Sequence, residues 1–378
     1  MHVSTLTGID VLKRDGFRQL QGRSIGLITN HTGVDADGAA SVDLIHGAPG
    51  VKLIALFGPE HGIRGAVDAS VPDGKDDRTG LPVYSLYAER RAPSNEQLEG
   101  IDLLVYDIQD VGARFYTYSS TLGLSLEAAA LRGIAFMVLD RPNPIGGSKV
   151  EGPIADADAL SFVAHHTTPI RHGMTMGEFA GLLNAEKRLG AQLTVIRVEN
   201  WRRQDLWDAT GLMWTNPSPN MRSLTQALIY PGVCLLEYTN ISVGRGCDTP
   251  FELFGAPWLH ARAVCDALNG ASLPGARFVP VRFTPTSSAF AGQRCQGINL
   301  IVVDRARFLP VLTGITIIEV LLREHRAEWQ PQNIDRLLVN RQAFSNLMEG
   351  RSAQQIVRSW AHDAEVFEAR RRPHLLYN

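Results

Sequence analysis

The residue best placed to do chemistry is Glu60, in the run Gly58-Pro59-Glu60-His61-Gly62-Ile63-Arg64-Gly65. Glycines on both sides let a ligand approach the backbone, and Pro59 stiffens the turn. A carboxyl group partly withdrawn from water can hold its proton long enough to act as a general acid. The plainer alternative is that Glu60 caps the next segment or pairs with Arg64. Glu151, in Val150-Glu151-Gly152-Pro153, is a second lone carboxylate, on a long connection between residues 146 and 173. Asp107 and Asp140 flank further polar groups: Gln109, Asp110, Arg114, Tyr116 and Tyr118 after the first, Arg141 and Asn143 after the second. Asn30 and His31 close another such turn. His31 and His61 with either aspartate also allow a metal site. In the second half, Asn216 and Asn220 flank a Pro-Ser-Pro segment, and Arg245 stands between two glycines ahead of Asp248. An arginine on such a tip suits a carboxylate. Hydrogen bonding within these loops is the competing explanation for both stretches.

These residues are grouped by the elements that carry them. Short, nearly continuous apolar runs at 24–29, 51–57, 101–106 and 134–139 predict strands buried on both faces of a parallel sheet. Helical segments are expected at 39–46, 94–98, 119–131 and 175–189, with another strand at 192–198. This alternation predicts a doubly wound, Rossmann-like α/β domain over 1–205 and a smaller α/β domain over 206–378. The second is expected to hold helices at 258–268, 308–324 and 353–371, and strands at 277–283 and 297–303. Asn30, Glu60, Asp107 and Asp140 lie at or just beyond the ends of four successive strands. In a parallel sheet those ends share one edge, where ligands bind.

Several chemistries are excluded by their missing motifs. There is no G-x-G-x-x-G after the first strand, no phosphate-binding G-x-x-x-x-G-K-[ST], no G-x-S-x-G elbow and no H-E-x-x-H. Lys and Arg number 37 against 39 Asp and Glu, which removes the electrostatic case for nucleic acid or an anionic membrane as partner. The N-terminal residues show no apolar signal core, and the four cysteines show no zinc-like spacing. A cytoplasmic protein with reduced cysteines is the expectation.

The motifs GLITNHTG, FGPEHGIRG, YDIQDVGARFYTY, LDRPNPIGG, VEGP, HGMTMGEFA, PSPN and TNISVGRGCDTPFELFGAPW together resemble the NamZ-type exo-β-N-acetylmuramidases. The resemblance runs from Gly26 to the C-terminal RRPHLLYN. It implies a Rossmann-like domain and a smaller one around a cleft. The implied reaction is release of terminal, non-reducing N-acetylmuramic acid from peptidoglycan fragments, without metal or organic cofactor. The resemblance makes Glu60 the leading catalytic carboxylate. Glu151, with Asp140 behind it, is assigned the second role, unless the substrate's own acetamido group is the nucleophile. Arg64, Arg114 and Arg245 are the candidates for binding the lactyl carboxylate, and the remaining loop residues named above are candidate sugar contacts. A metal-dependent hydrolase and a non-catalytic glycan-binding protein stay open as alternatives.

Overall fold

In the computed structural model, which describes residues 4–60, 62–64, 72–87 and 90–378, the apolar runs assemble into a seven-stranded sheet. Its strands are β1 (Ser24–Thr29), β2 (Lys52–Gly58), β3 (Gly74–Lys75), β4 (Pro82–Ser85), β5 (Leu103–Asp107), β6 (Ala135–Leu139) and β7 (Leu193–Ile196), in the order β3-β4-β2-β1-β5-β6-β7. Every pairing is parallel except β3 with β4. Side chains alternate between faces with the period of two that a strand imposes. Leu103 and Val105 join Ile9 and Leu12 of α1 (Gly8–Arg14) and Val42 and Ile45 of α2 (Ser41–His46) on one face. Leu104 and Tyr106 meet Leu122 and Leu126 of α3 (Tyr118–Leu131) and Phe179 of α4 (Met176–Glu186) on the other. Helices on both faces make the sheet doubly wound. Phe136, fully buried, illustrates the energetics: truncation to Ala would cost about 3–5 kcal/mol.

Local sequence explains where elements start and fail. Thr175 and Glu178 form a reciprocal capping box that starts α4. Ser94 and Gln97 make the same kind of exchange, yet the expected helix at 94–98 is only a series of turns. Gly100, at φ 74°, stops it before a second turn can repay nucleation.

The second half builds α5 (Leu224–Val233), α6 (Ala261–Gly270) and α7 (Pro310–Glu324) around an antiparallel sheet of β8 (Leu253–Ala256), β9 (Ala276–Phe283) and β10 (Cys295–Val302), ordered β8-β10-β9. Helices α5 and α7 cross where Gly232 faces Gly314; a Cβ on Gly232 would lie 2.0 Å from the Pro310 carbonyl oxygen. Four short helices follow: α8 (Asp335–Leu338), α9 (Arg341–Met348), α10 (Ala353–Ser359) and α11 (Ala361–Arg371). The last two replace the single helix expected over 353–371, broken at Trp360. One apolar cluster runs without interruption from Ile28 beside the large sheet to Phe367 in α11. The C-terminal tail returns to the first half, where the Tyr377 hydroxyl donates to Asp140. The four cysteines are unbridged, and no described helix is long and apolar enough to cross a membrane.

Candidate active site

Strand order reverses between β1 and β5, so a crevice opens at the carboxyl ends of the sheet. Beside it, β2 delivers Glu60 into a pocket whose other described walls are Phe115, Tyr116, Thr117, Tyr118, Ser218, Tyr230 and Arg245. The segment from β5 to α3 supplies four of these and α5 supplies Tyr230. The Tyr118 hydroxyl donates to the Pro217 carbonyl (2.6 Å), which draws the Pro-Ser-Pro segment over the pocket. Tyr116 packs edge-on against Tyr118 and Tyr230, with centroids 4.9 and 5.6 Å away, and Tyr230 does the same against Phe251. The wall is therefore rigid, aromatic and edged with hydroxyls. That combination suits a sugar, whose faces are apolar and whose rim is polar.

Two charged groups enter this wall. The Tyr87 hydroxyl lies near Glu60; burial first, and that carboxylate second, push the phenol well above its ordinary range. Arg245 also lines the pocket. Burial works against its charge, but Glu237, bonded to its Nε, more than offsets this and keeps the guanidinium firmly protonated. Gly244 and Gly246, both at φ 78°, make the tip possible: a Cβ on Gly246 would lie 2.4 Å from the Ser287 amide nitrogen. The Tyr116 hydroxyl, buried beside Ser218 and Tyr118, completes no well-aligned hydrogen bond among the described residues. Behind it Asp110 is buried. One of its oxygens accepts from Gly112 N (2.7 Å), the other has no partner among the described residues, and burial pushes the carboxyl up to about 7.

Of the residues singled out in the sequence, the structure brings Glu60, Tyr116, Tyr118 and Arg245 together. It places the others elsewhere, each for a visible reason. Glu151 binds Arg171 (2.7 Å) and faces the first turn of α7 through Val311 N, away from the pocket. Asp140 is a buried junction that accepts from Thr175 Oγ1 (2.7 Å), Gly177 N (2.8 Å) and Tyr377, so it ties α4 and the tail to β6. Arg64 is held by Asp76 and Asp43. Arg114 donates to four carbonyl oxygens, of Pro153, Thr168, Leu337 and Leu338. Asp107 pairs with Arg141 in the interior (2.6 Å) and also receives Ser41. Asn30 and Asn143 fold back on their own turns, accepting from Thr32 N and Ile145 N. Gln109 donates to the Asp110 and Pro142 carbonyls. His31 meets the Asn216 carbonyl (2.7 Å), Asn220 is buried, and Asp248 sits exposed on its loop. His61 lies outside the described residues. Among those described, no three His, Cys, Asp or Glu side chains gather as a metal site would require.

Sequence reading missed Tyr87, Ser218, Tyr230 and Glu237. Tyr230 is on a helix whose internal Pro231 hides the periodicity. Ser218 was visible only as part of its proline-flanked segment.

Comparison with known proteins is then decisive. A family model described as "Exo-beta-N-acetylmuramidase NamZ, N-terminal" matches residues 25–225, and its C-terminal counterpart matches 228–377. The chain belongs to the NamZ family. A NamZ relative, "Peptidoglycan beta-N-acetylmuramidase NamZ" of Bacillus subtilis (strain 168), is 43% identical over 376 residues, covering 98% of this chain and 91% of that one. Two crystal structures of DUF1343 family proteins from Bacteroides fragilis share the fold. The first superposes with a TM-score of 0.93 at 36% identity over the whole of both chains, the second with 0.81 at 29% identity over 100% and 99%.

Proposed function

We propose that this protein is an exo-acting glycoside hydrolase that releases non-reducing terminal N-acetylmuramic acid from peptidoglycan fragments, with Glu60 as general acid and base. One observation carries the reading: a carboxylate and a charge-balanced arginine line one aromatic pocket in a member of the NamZ family. Glu60 would protonate the glycosidic oxygen, and Arg245 would receive the lactyl carboxylate that distinguishes muramic acid from glucosamine.

Among the described residues lining the pocket, Glu60 is the sole carboxylate, and neighbouring Glu237 is engaged by Arg245. The second catalytic role therefore falls to the substrate. Its acetamido oxygen attacks the anomeric carbon as the leaving oxygen takes the Glu60 proton, and the Tyr116 hydroxyl is placed to steady that group. Glu60, now a carboxylate, then takes a proton from the water that opens the cyclic intermediate. No metal or organic cofactor enters this sequence.

The test compares chromogenic β-N-acetylmuraminide with the matching β-N-acetylglucosaminide. The muraminide should be strongly preferred, and Arg245→Met should lower kcat/KM for it by about 10- to 100-fold, as loss of one charge-assisted contact does. Equal turnover of the two glycosides, or unchanged selectivity in the variant, would remove Arg245 from recognition.

A further inference from the structure

A second, smaller cavity opens at the same sheet edge, between the ends of β1, β5 and β6, where the strand order reverses. Val34, Leu212 and Met213 give it apolar walls, and Gln109, Arg141 and Trp207 give it polar ones. Two polar atoms of its lining are buried and unpartnered among the described residues: Gln109 Oε1 and Trp207 Nε1. Arg141 commits Nε and Nη2 to Asp107 and the Val34 carbonyl. Buried polar groups in this state are costly and call for a ligand or water.

The chemistry of the missing partner follows. Trp207 Nε1 is a donor. The Gln109 Oε1 position is an acceptor, and its amide orientation is fixed because Nε2 donates to two carbonyls. Charge does not decide the matter, since Asp107 balances Arg141 and Lys13 binds Asp35. A secondary amide offers one acceptor and one donor on a neutral group with an alkyl end, and so matches both orphaned atoms and the apolar walls. Its alkyl end would meet Val34, Leu212 and Met213. The cavity, about 40 Å³ against about 80 Å³ for the Glu60 pocket, is the smaller of the two.

We infer that this cavity is a subsite for a secondary amide attached to the glycan held at Glu60. The inference rests on the muramidase reading for its substrate. The link between the two pockets is the extended segment 215–218: Thr215 lines the small cavity and Ser218 the Glu60 pocket. Three residues of chain span at most about 11 Å, the scale of one sugar unit with its substituents. Two sources supply that chemistry: the acetamido group of the sugar next to muramic acid, and the amide formed when an amino acid caps the lactyl carboxyl.

The indole N–H of Trp207 reports on this directly in a ¹H–¹⁵N spectrum, with Trp207→Phe identifying the resonance. Titration with N-acetylglucosamine and, separately, with N-acetylmuramoyl-L-alanine should shift that resonance for one of them, which names the source. A resonance that moves with neither overturns the subsite, even in an active enzyme. Turnover gives the second arm: the preference for a substrate bearing the amide over a chromogenic glycoside lacking it should fall about tenfold in Trp207→Phe. An unchanged preference counts against the subsite. Wild-type protein that hydrolyses no muraminide, yet shows the indole shift, would sink the muramidase reading and leave the amide site standing.

Discussion

Arg114 separates a structural arginine from a substrate-binding one, and the structure sets the magnitude. Its guanidinium, 2% exposed, donates to the carbonyls of Pro153 and Thr168 at 3.0 and 2.7 Å and to those of Leu337 and Leu338 at 2.9 and 2.6 Å. The last two are end carbonyls of α8, which need a donor from outside the helix. Burial lowers the Arg114 pKa to about 9, so the cation stays in place at neutral pH. Truncation to Ala leaves Thr168 O with a bond from Ala155 N, while the other three carbonyls lose their donor. At about 1–2 kcal/mol for each orphaned carbonyl, Arg114→Ala should cost about 3–6 kcal/mol. An unfolding entropy of about 2 cal/mol/K per residue converts this to a Tm loss of about 4–8 °C for a chain of this length. Arg114→Lys should fall between, because one ammonium cannot span four acceptors. The assay is calorimetry or a thermal melt alongside muraminide kinetics. A wild-type Tm in Arg114→Ala, accompanied by loss of muramic acid affinity, would refute the reasoning and return Arg114 to the substrate site.

Two further outcomes follow from the buried acids and the pocket. Burial pushes Asp110 to about 7 and Asp140 to about 6, above the unfolded value of 3.8, so the folded chain holds extra protons between those limits. That stabilisation is complete below about pH 4 and is lost as pH rises through 6 to 7. Glu127, paired with His165, and Asp76, paired with Arg64, are both held near 2, and their contribution is lost as pH falls below about 4. Melts should therefore peak near pH 4, and Asp110→Asn should flatten the decline between about pH 4 and 7; an equal slope in the variant would exclude Asp110 as its source. Hydrolysis assisted by the acetamido group releases the β anomer first, visible by ¹H NMR before mutarotation; first appearance of the α anomer would require a different second group.

Much of the scaffold is legible in the sequence because strands buried on both faces leave continuous apolar runs. β1 spans the residues expected, and β5 and β6 are displaced by one or two at their ends. Glu60 is legible for a related reason: a carboxylate between glycines at a strand end has few structural uses. The other polar strand-end residues mislead because backbone satisfaction draws on the same residue types as ligand binding. Asp140 and Arg114 look like site residues and serve as junctions, between β6, α4 and the tail in one case, and between distant loops in the other. Tyr230 is hidden for the opposite reason. It lies far along the chain, on the helix packed at the Gly232–Gly314 crossing, which no local pattern encodes.

The central claim is that Glu60 performs the proton transfers, and Glu60→Gln tests it with little change in shape. Single-turnover cleavage of a β-N-acetylmuraminide bearing a poor leaving group should slow by about 10²- to 10⁴-fold while binding of free N-acetylmuramic acid is retained. Wild-type cleavage by the Gln variant would contradict the account.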